Sequence, residues 1–246
     1  MRIIISPAKS MISDFSKNKD VTTPIFIDKT KEILHTLISF NKDQLTKIWK
    51  CNSKIIDGLS VDMLKADLSQ NLTPAIFAYD GIVYKNINPS SFNDAAMNYI
   101  KNNLRILSGF YGVLKPFDGV IKYRLEMQSK FIIGGFNNLY DFRGKSIYQE
   151  VIDESGIIIN LASKEYSKSI EPYLNKKDTI INFNFLEKVN GEYVSKNTYS
   201  KMARGLMVNY LASNNITDIE SIKKFTLGGY KFNKELSSDN LLVFTR

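Results

Sequence analysis

The sequence holds one cysteine, Cys51, and one histidine, His35. An internal disulfide is therefore excluded, as is a zinc site built from three or four Cys and His ligands. A Ser-His-Asp arrangement would have to use His35, which sits in DKTKEILHTLISF, an amphipathic pattern suited to a surface or boundary position. Cys51 follows Trp49 in another helical pattern and reads as a small buried hydrophobe. Long apolar runs are lacking too. Nothing approaches the roughly 18 consecutive apolar residues of a membrane-spanning helix, and the apolar part of MRIIISPAKS is too short for a signal peptide. A cytoplasmic protein with no membrane partner is expected. Arginine is scarce: of 33 basic residues, six are Arg2, Arg105, Arg124, Arg143, Arg204 and Arg246. Where lysine is the default cation, an internal arginine points to a planar, bidentate contact. That singles out Arg124 and Arg204.

What is present begins with charge. The net charge of +8 favours partners bearing phosphate, nucleic acid above all. A lysine-rich and asparagine-rich composition would raise the charge without any such partner. With so little Cys and His, catalysis would fall to Ser, Lys, Tyr, Arg or carboxylates. The 246 residues suffice for one large α/β domain or two small ones.

Along the chain, RIIIS (2–6) reads as a buried strand followed by a polar loop. Helical periodicity runs over about 28–40, 42–51 and 60–69. PAIFAYDG (74–81) reads as a strand, and SFNDAAMNYIKNNL (91–104) as a helix capped by Ser90 or Ser91. RILS (105–108) is a second buried strand, and 119–127 alternate as a strand should. KSIYQEVIDESG (145–156) reads as a helix stopped by Gly156, IIIN (157–160) as a third strand, with a short helix from about Ser163. TIINFNFLEKVNGEYVSK is a hairpin turning on Asn190-Gly191. NTYSKMARGLMVNYLA is a helix, TDIE (217–220) a capping box, and GYKF and NLLVF closing strands. No repeat or linker breaks the pattern, so one mixed α/β domain over 1–246 is expected.

Three buried strands run directly into serine-containing turns: IIIS6-PAK, RILS108-GFYG and IIINLAS163-KEY. In α/β sheets, ligands bind beyond the strand carboxyl ends. If the strands are neighbours, Ser6, Ser108 and Ser163 would line one pocket with Asn160, and Lys9, Lys115 and Lys164 lie close behind. The same serines would serve equally as ordinary turn residues.

LSGFYGVLKPFDGVIKYRLEM (107–127) is dense in special residues. Gly109 and Gly112 allow close approach or positive φ around Phe110-Tyr111. Read as a strand, the segment after Gly119 puts Lys122, Arg124 and Glu126 on one face, where Arg and Glu would flank a ligand or simply meet solvent. Lys201 and Arg204 share a helix face beside Gly205, fit for a phosphate clamp or a solvated surface. IIDGLSVDMLKADL (55–68) loosely resembles a helix-hairpin-helix element around Gly58, with Ser60 in place of the usual second glycine.

Together, ISPAKS, LSGFYGVLKPFDGVIKYRLEM, INLASKEYSKSI and KMARGLM resemble, in order and over nearly the whole chain, the YaaA peroxide-stress protein family. Gly109, Tyr111, Gly112, Leu114, Pro116 and Asp118 match before Tyr123-Arg124-Leu125-Glu126-Met127. The chain departs from the family pattern at Tyr79-Asp80-Gly81-Ile82-Val83-Tyr84 and at Lys115. The resemblance implies a cytosolic protein that limits oxidative damage by lowering unincorporated iron. It also implies an α/β fold with a central mixed sheet flanked by helices, a basic cleft, a helix-hairpin-helix element, and DNA binding.

Two readings follow. In the first, duplex DNA is held with little sequence preference by phosphate contacts at Gly58, Lys115, Arg124, Lys201 and Arg204. In the second, an enzyme binds a nucleotide or similar small anion in a pocket of Ser6, Lys9, Ser108, Tyr111, Asn160, Ser163 and Tyr166, with Arg124 fixing the anion and Glu126 as acid or base. No cofactor or metal is expected, and a monomer is.

Overall fold

A computed structural model describes residues 1–16, 21–51, 56, 58 and 63–246. The architecture grows from the apolar runs. Isoleucine-rich RIII and IIIN are buried on both faces, as strands in the middle of a parallel sheet must be. The main sheet has eight strands: β1 (Arg2–Ile5), β2 (Leu104–Ser108), β3 (Gly112–Leu114), β4 (Ile157–Asn160), β5 (Thr179–Val189), β6 (Glu192–Val194), β7 (Lys231–Phe232) and β8 (Leu241–Thr245). Their order is β7-β8-β5-β4-β1-β2-β3, with β6 pairing the far end of β5. The pairs β1–β2, β1–β4, β4–β5 and β5–β8 are parallel, whereas β2–β3, β5–β6 and β7–β8 are antiparallel. This is a mixed α/β fold with a central mixed sheet.

Helices cover the sheet. Those that matter here are α1 (Ile27–Ile38), α2 (Lys42–Trp49), α3 (Ile82–Ile87), α4 (Asp94–Asn103), α5 (Lys164–Ser167) and α6 (Asn197–Ser213). One continuous apolar core joins Ile3, Ile4 and Ile5 to Leu107, Ile159, Met207 and Phe244. No helix among the described residues is long and apolar enough to cross a membrane. His35 is exposed and Cys51 half-buried.

Several local expectations are corrected. PAIFAYDG is not a strand: Ala75–Ala78 form a helical turn between the two-residue strands Thr73–Pro74 and Tyr79–Asp80. Past Gly119–Val120 the expected strand over 119–127 ends, because its backbone donors find side chains instead of a ladder. Ile121 N donates to Tyr111 Oη at 3.1 Å and Tyr123 N to Met11 Sδ at 3.5 Å. Helix α4 caps on Asn93, whose Oδ1 accepts from Ala96 N at 2.9 Å, and Pro89–Ser91 form a separate 3-10 turn. Asp218 replaces Thr217 as the cap of Ile219–Ile222. The helix expected over 145–156 spans Ser146–Val151 alone. Of the helix expected over 60–69, residues 60–62 lie outside the described residues, Met63 and Leu64 are helical and 65–69 form turns and irregular chain; of the hairpin at Gly58-Leu59-Ser60, Leu59 and Ser60 lie outside the described residues. Gly58 itself is helical and exposed, and an added Cβ there meets nothing within 4 Å.

Candidate functional site

The chain leaves β1 toward β2 on one side and leaves β4 toward β5 on the other. The crevice between the carboxyl ends of β1 and β4 is therefore a topological switch point, where open α/β sheets place ligands. A cavity of about 490 Å³ opens there. Register fixes its base: Ile4 pairs with Asn160, and Leu161 N donates to Ile4 O at 3.0 Å. One residue beyond β1, Ser6 Oγ accepts from Ser163 N at 2.8 Å and donates to Ser163 Oγ at 3.2 Å. Tyr84 Oη donates to Ser6 O at 3.0 Å, which ties α3 to the end of β1.

The segment Tyr123–Glu126 forms a second wall. It belongs to no strand ladder and is held by its side chains. Arg124 Nε donates to Trp49 O at 3.1 Å, anchoring it to α2. Lys9 Nζ lies 2.5 Å from Glu126 Oε1, and Gln128 Nε2 donates to Glu126 Oε2 at 3.3 Å. Gly109 allows this wall its position: a Cβ there would sit 2.5 Å from Leu125 O and 2.8 Å from the carbonyl carbon of Glu126. The loop around Gly109 is braced in turn by Arg143, which is 1% exposed and donates through Nη2 to Phe110 O, with the Phe26 and Phe142 rings beside it.

Helix α6 closes the third side with Asn197, Lys201 and Arg204. Gly205 sets its distance, since a Cβ there would meet Val83 O at 2.3 Å. The helix-face pair and the strand-end serines thus meet in one cavity, a convergence that packing against α3 produces.

Of the residues singled out from sequence, Ser6, Lys9, Arg124, Glu126, Ser163, Tyr166, Lys201 and Arg204 line the cavity. Ser108, Tyr111 and Asn160 do not. Ser108 is fully buried, its Oγ 2.6 Å from Tyr123 Oη and accepting from Tyr111 N. Tyr111 is core, and Asn160 Nδ2 is spent on Asn182 Oδ1 at 2.8 Å. Lys115 and Lys164 are exposed and lie outside the lining. Sequence reasoning passed over Glu165, Tyr84, Tyr123, Asp80 and Asn197, all of which line it. Glu165 could have been found, since it lies inside the quoted block INLASKEYSKSI.

The charges are arranged in opposition. Burial works against the Glu126 carboxylate, but Lys9 and Gln128 outweigh it and hold its pKa below the usual value. Burial pushes Glu165 up, and the nearby Glu126 charge adds to that even though Gln128 N donates to Glu165 Oε1. Two carboxylates with values moved apart are the arrangement that acid–base chemistry uses. Burial pushes the Arg204 guanidinium down. Among the described residues no group of three or more His, Cys, Asp or Glu side chains is placed to hold a metal ion.

Comparison with known proteins agrees over the same span. The family described as peroxide stress protein YaaA matches residues 1–236. A UPF0246 protein of Agathobacter rectalis is 51% identical over 246 residues, covering 100% of this chain and 99% of the relative. UPF0246 proteins of Limosilactobacillus reuteri, at 45% over 99% of this chain and 98% of the relative, and of Clostridioides difficile, at 41% over 100% of both, align likewise. End-to-end agreement at these identities, over a chain whose matching blocks each contribute residues to one cavity, makes this protein a member of the peroxide stress protein YaaA family.

Proposed function

We propose that the protein acts in the cytoplasm during peroxide stress as a DNA-binding protein that limits oxidative damage and lowers free iron. The observation that supports DNA most is the convergence of Lys9, Arg124, Lys201 and Arg204, from separate parts of the chain, on one cavity in a protein of net charge +8. Contacts of this kind go to phosphates and carry little sequence information. Duplex titration at low and physiological salt tests it with two unrelated sequences. Affinity is expected to fall at least about tenfold between about 50 and 200 mM salt, equally for both sequences. Affinity insensitive to salt would overturn the reading. Since the described residues offer no cluster for holding a metal, iron lowering would not run through a store built from them. Free iron measured in peroxide-treated cells with and without the protein tests that part.

The 2.5 Å approach of Lys9 to Glu126 beside Ser6 and Ser163 favours a second reading, an enzyme acting on a nucleotide or other small anion. Arg124 would fix the anion and Glu126 would serve as acid or base. The two readings share one cavity.

A further inference from the structure

The cavity contains donors that the protein itself leaves unspent. Arg204 lines it half-buried, and no carboxylate or carbonyl bonds its guanidinium among the described residues. A half-buried guanidinium with no protein acceptor keeps its donors for water or for an anion, and an anion makes the stronger, charge-assisted bond. Lys201, three residues earlier on the same face of α6, also lines the cavity and also lacks an ion pair among the described residues. Ser163 makes a third. Its Oγ accepts from Ser6, and its own hydroxyl hydrogen has no acceptor among the described residues.

The carboxylates of the lining, by contrast, each have a protein partner. Glu126 is held by Lys9 and Gln128, Asp80 lies 3.1 Å from Lys85 Nζ, and Glu165 Oε1 takes Gln128 N. A surplus of donors calls for a ligand with several anionic oxygens on one atom. Size narrows the class further: about 490 Å³ encloses one small molecule. The innermost lining is Leu161, Leu125, Tyr84 and Tyr123, none more than 5% exposed. The convex backbone of a smooth duplex can meet the cations at the mouth of the cavity, such as the exposed Lys201, but not these buried apolar side chains.

We infer that the cavity seats a single nucleotide unit with a terminal phosphate, its oxygens taken by Arg204, Lys201 and Ser163 and its sugar and base set against the apolar lining. This rests on the phosphate-binding reading above and names the form of phosphate. The unit arrives either as a free nucleotide or as the 5′-phosphorylated end of a DNA strand, since both offer the same chemistry.

The test is calorimetric titration of the whole protein with each of the four deoxynucleoside 5′-monophosphates and with the matching nucleosides. Duplexes with and without 5′-phosphates form a second arm. At least one monophosphate, or the phosphorylated duplex end, is expected to bind about tenfold or more tighter than its unphosphorylated counterpart, the factor one charge-assisted hydrogen bond supplies. Arg204→Met is expected to remove most of that advantage. Lys201→Met, at an exposed position, is expected to reduce it with the thermal midpoint unchanged, which keeps the test decisive if Arg204→Met destabilises. Preference for the phosphorylated end assigns the site to DNA termini, and preference among monophosphates alone assigns it to free nucleotides; either supports the inference. Equal binding with and without the phosphate in both arms, or full affinity in both variants, overturns it. Duplex binding that persists while the phosphate advantage is absent sinks the nucleotide seat and leaves the DNA reading standing.

Discussion

Glu126 and Glu165 share a cavity yet titrate in opposite senses, and that opposition is measurable. A carboxylate whose folded pKa is depressed, as at Glu126, contributes stability above its unfolded value and loses it as pH falls through the folded one. A raised carboxyl, as at Glu165, leaves the fold most stable below its unfolded value, and that advantage is lost as pH rises through the folded one. At pH 7, Glu126→Gln is therefore expected to lower the thermal midpoint and Glu165→Gln to raise it. Each change should be about 1–3 °C, discounted for solvent access; the Glu165 difference should close once pH is below the ordinary glutamate value, and the Glu126 difference only at lower pH, below its depressed folded value. Melting curves across pH check this, and two shifts of the same sign would contradict it. Arg124 makes a different prediction. Lysine keeps the charge but cannot reproduce the Nε bond to Trp49 O together with a fork toward the cavity. Arg124→Lys is expected to stay folded and lose most peroxide protection in a survival assay, whereas full protection would reduce its role to bulk charge.

At the scale of elements, two glycines decide whether the walls meet. Gly205→Ala should gain about 1 kcal/mol of helix propensity. Its Cβ would nevertheless lie 2.3 Å from Val83 O and 2.7 Å from Asn86 Cβ, so α6 must move off α3. Overpacking of this kind costs about 1–3 kcal/mol. The expected outcome is net destabilisation in denaturant titration, with weaker anion binding because Lys201 and Arg204 move with the helix. Gly109→Ala should act similarly on Leu125 and Glu126, although Gly109 is not part of the lining. The sequence reveals the elements whose signal is local. RIII, IIIN and LRILS are short, largely apolar runs that end up buried on both faces, α6 repeats its apolar residues at helical spacing, and Asn190-Gly191 announces its turn. It does not reveal Ile121–Glu126, which alternates like a strand but is held by Tyr111 Oη, Met11 Sδ and Trp49 O. No local window contains those partners. The site divides in the same way. Ser6 and Ser163 follow from strand ends, yet Ser108, with the same local signature, turns into the core toward Tyr123. Lys201 and Arg204 are recognisable as a helix-face pair, but only the α6–α3 contact brings them to the serines.

For the molecule as a whole, charge and topology have separate consequences. If DNA phosphates enter the basic cavity, each neutralised cation should take its counterion out of the salt dependence. Lys201→Gln combined with Arg204→Gln is then expected to reduce the slope of log affinity against log salt by about 2, with little change in sequence preference. An unchanged slope would move the DNA surface elsewhere. The topology bears on how the protein is made. β1 lies in the middle of the sheet, yet its two neighbours are residues 104–108 and 157–160. During synthesis from the amino end, this isoleucine-rich strand has both edges open until residue 108 has followed, and one edge open until residue 160 has. Long-range parallel pairing of this kind is slow and leaves adhesive edges exposed meanwhile. The nascent chain therefore passes through a period, set by translation rate, in which an unpaired central strand is open to the wrong partner.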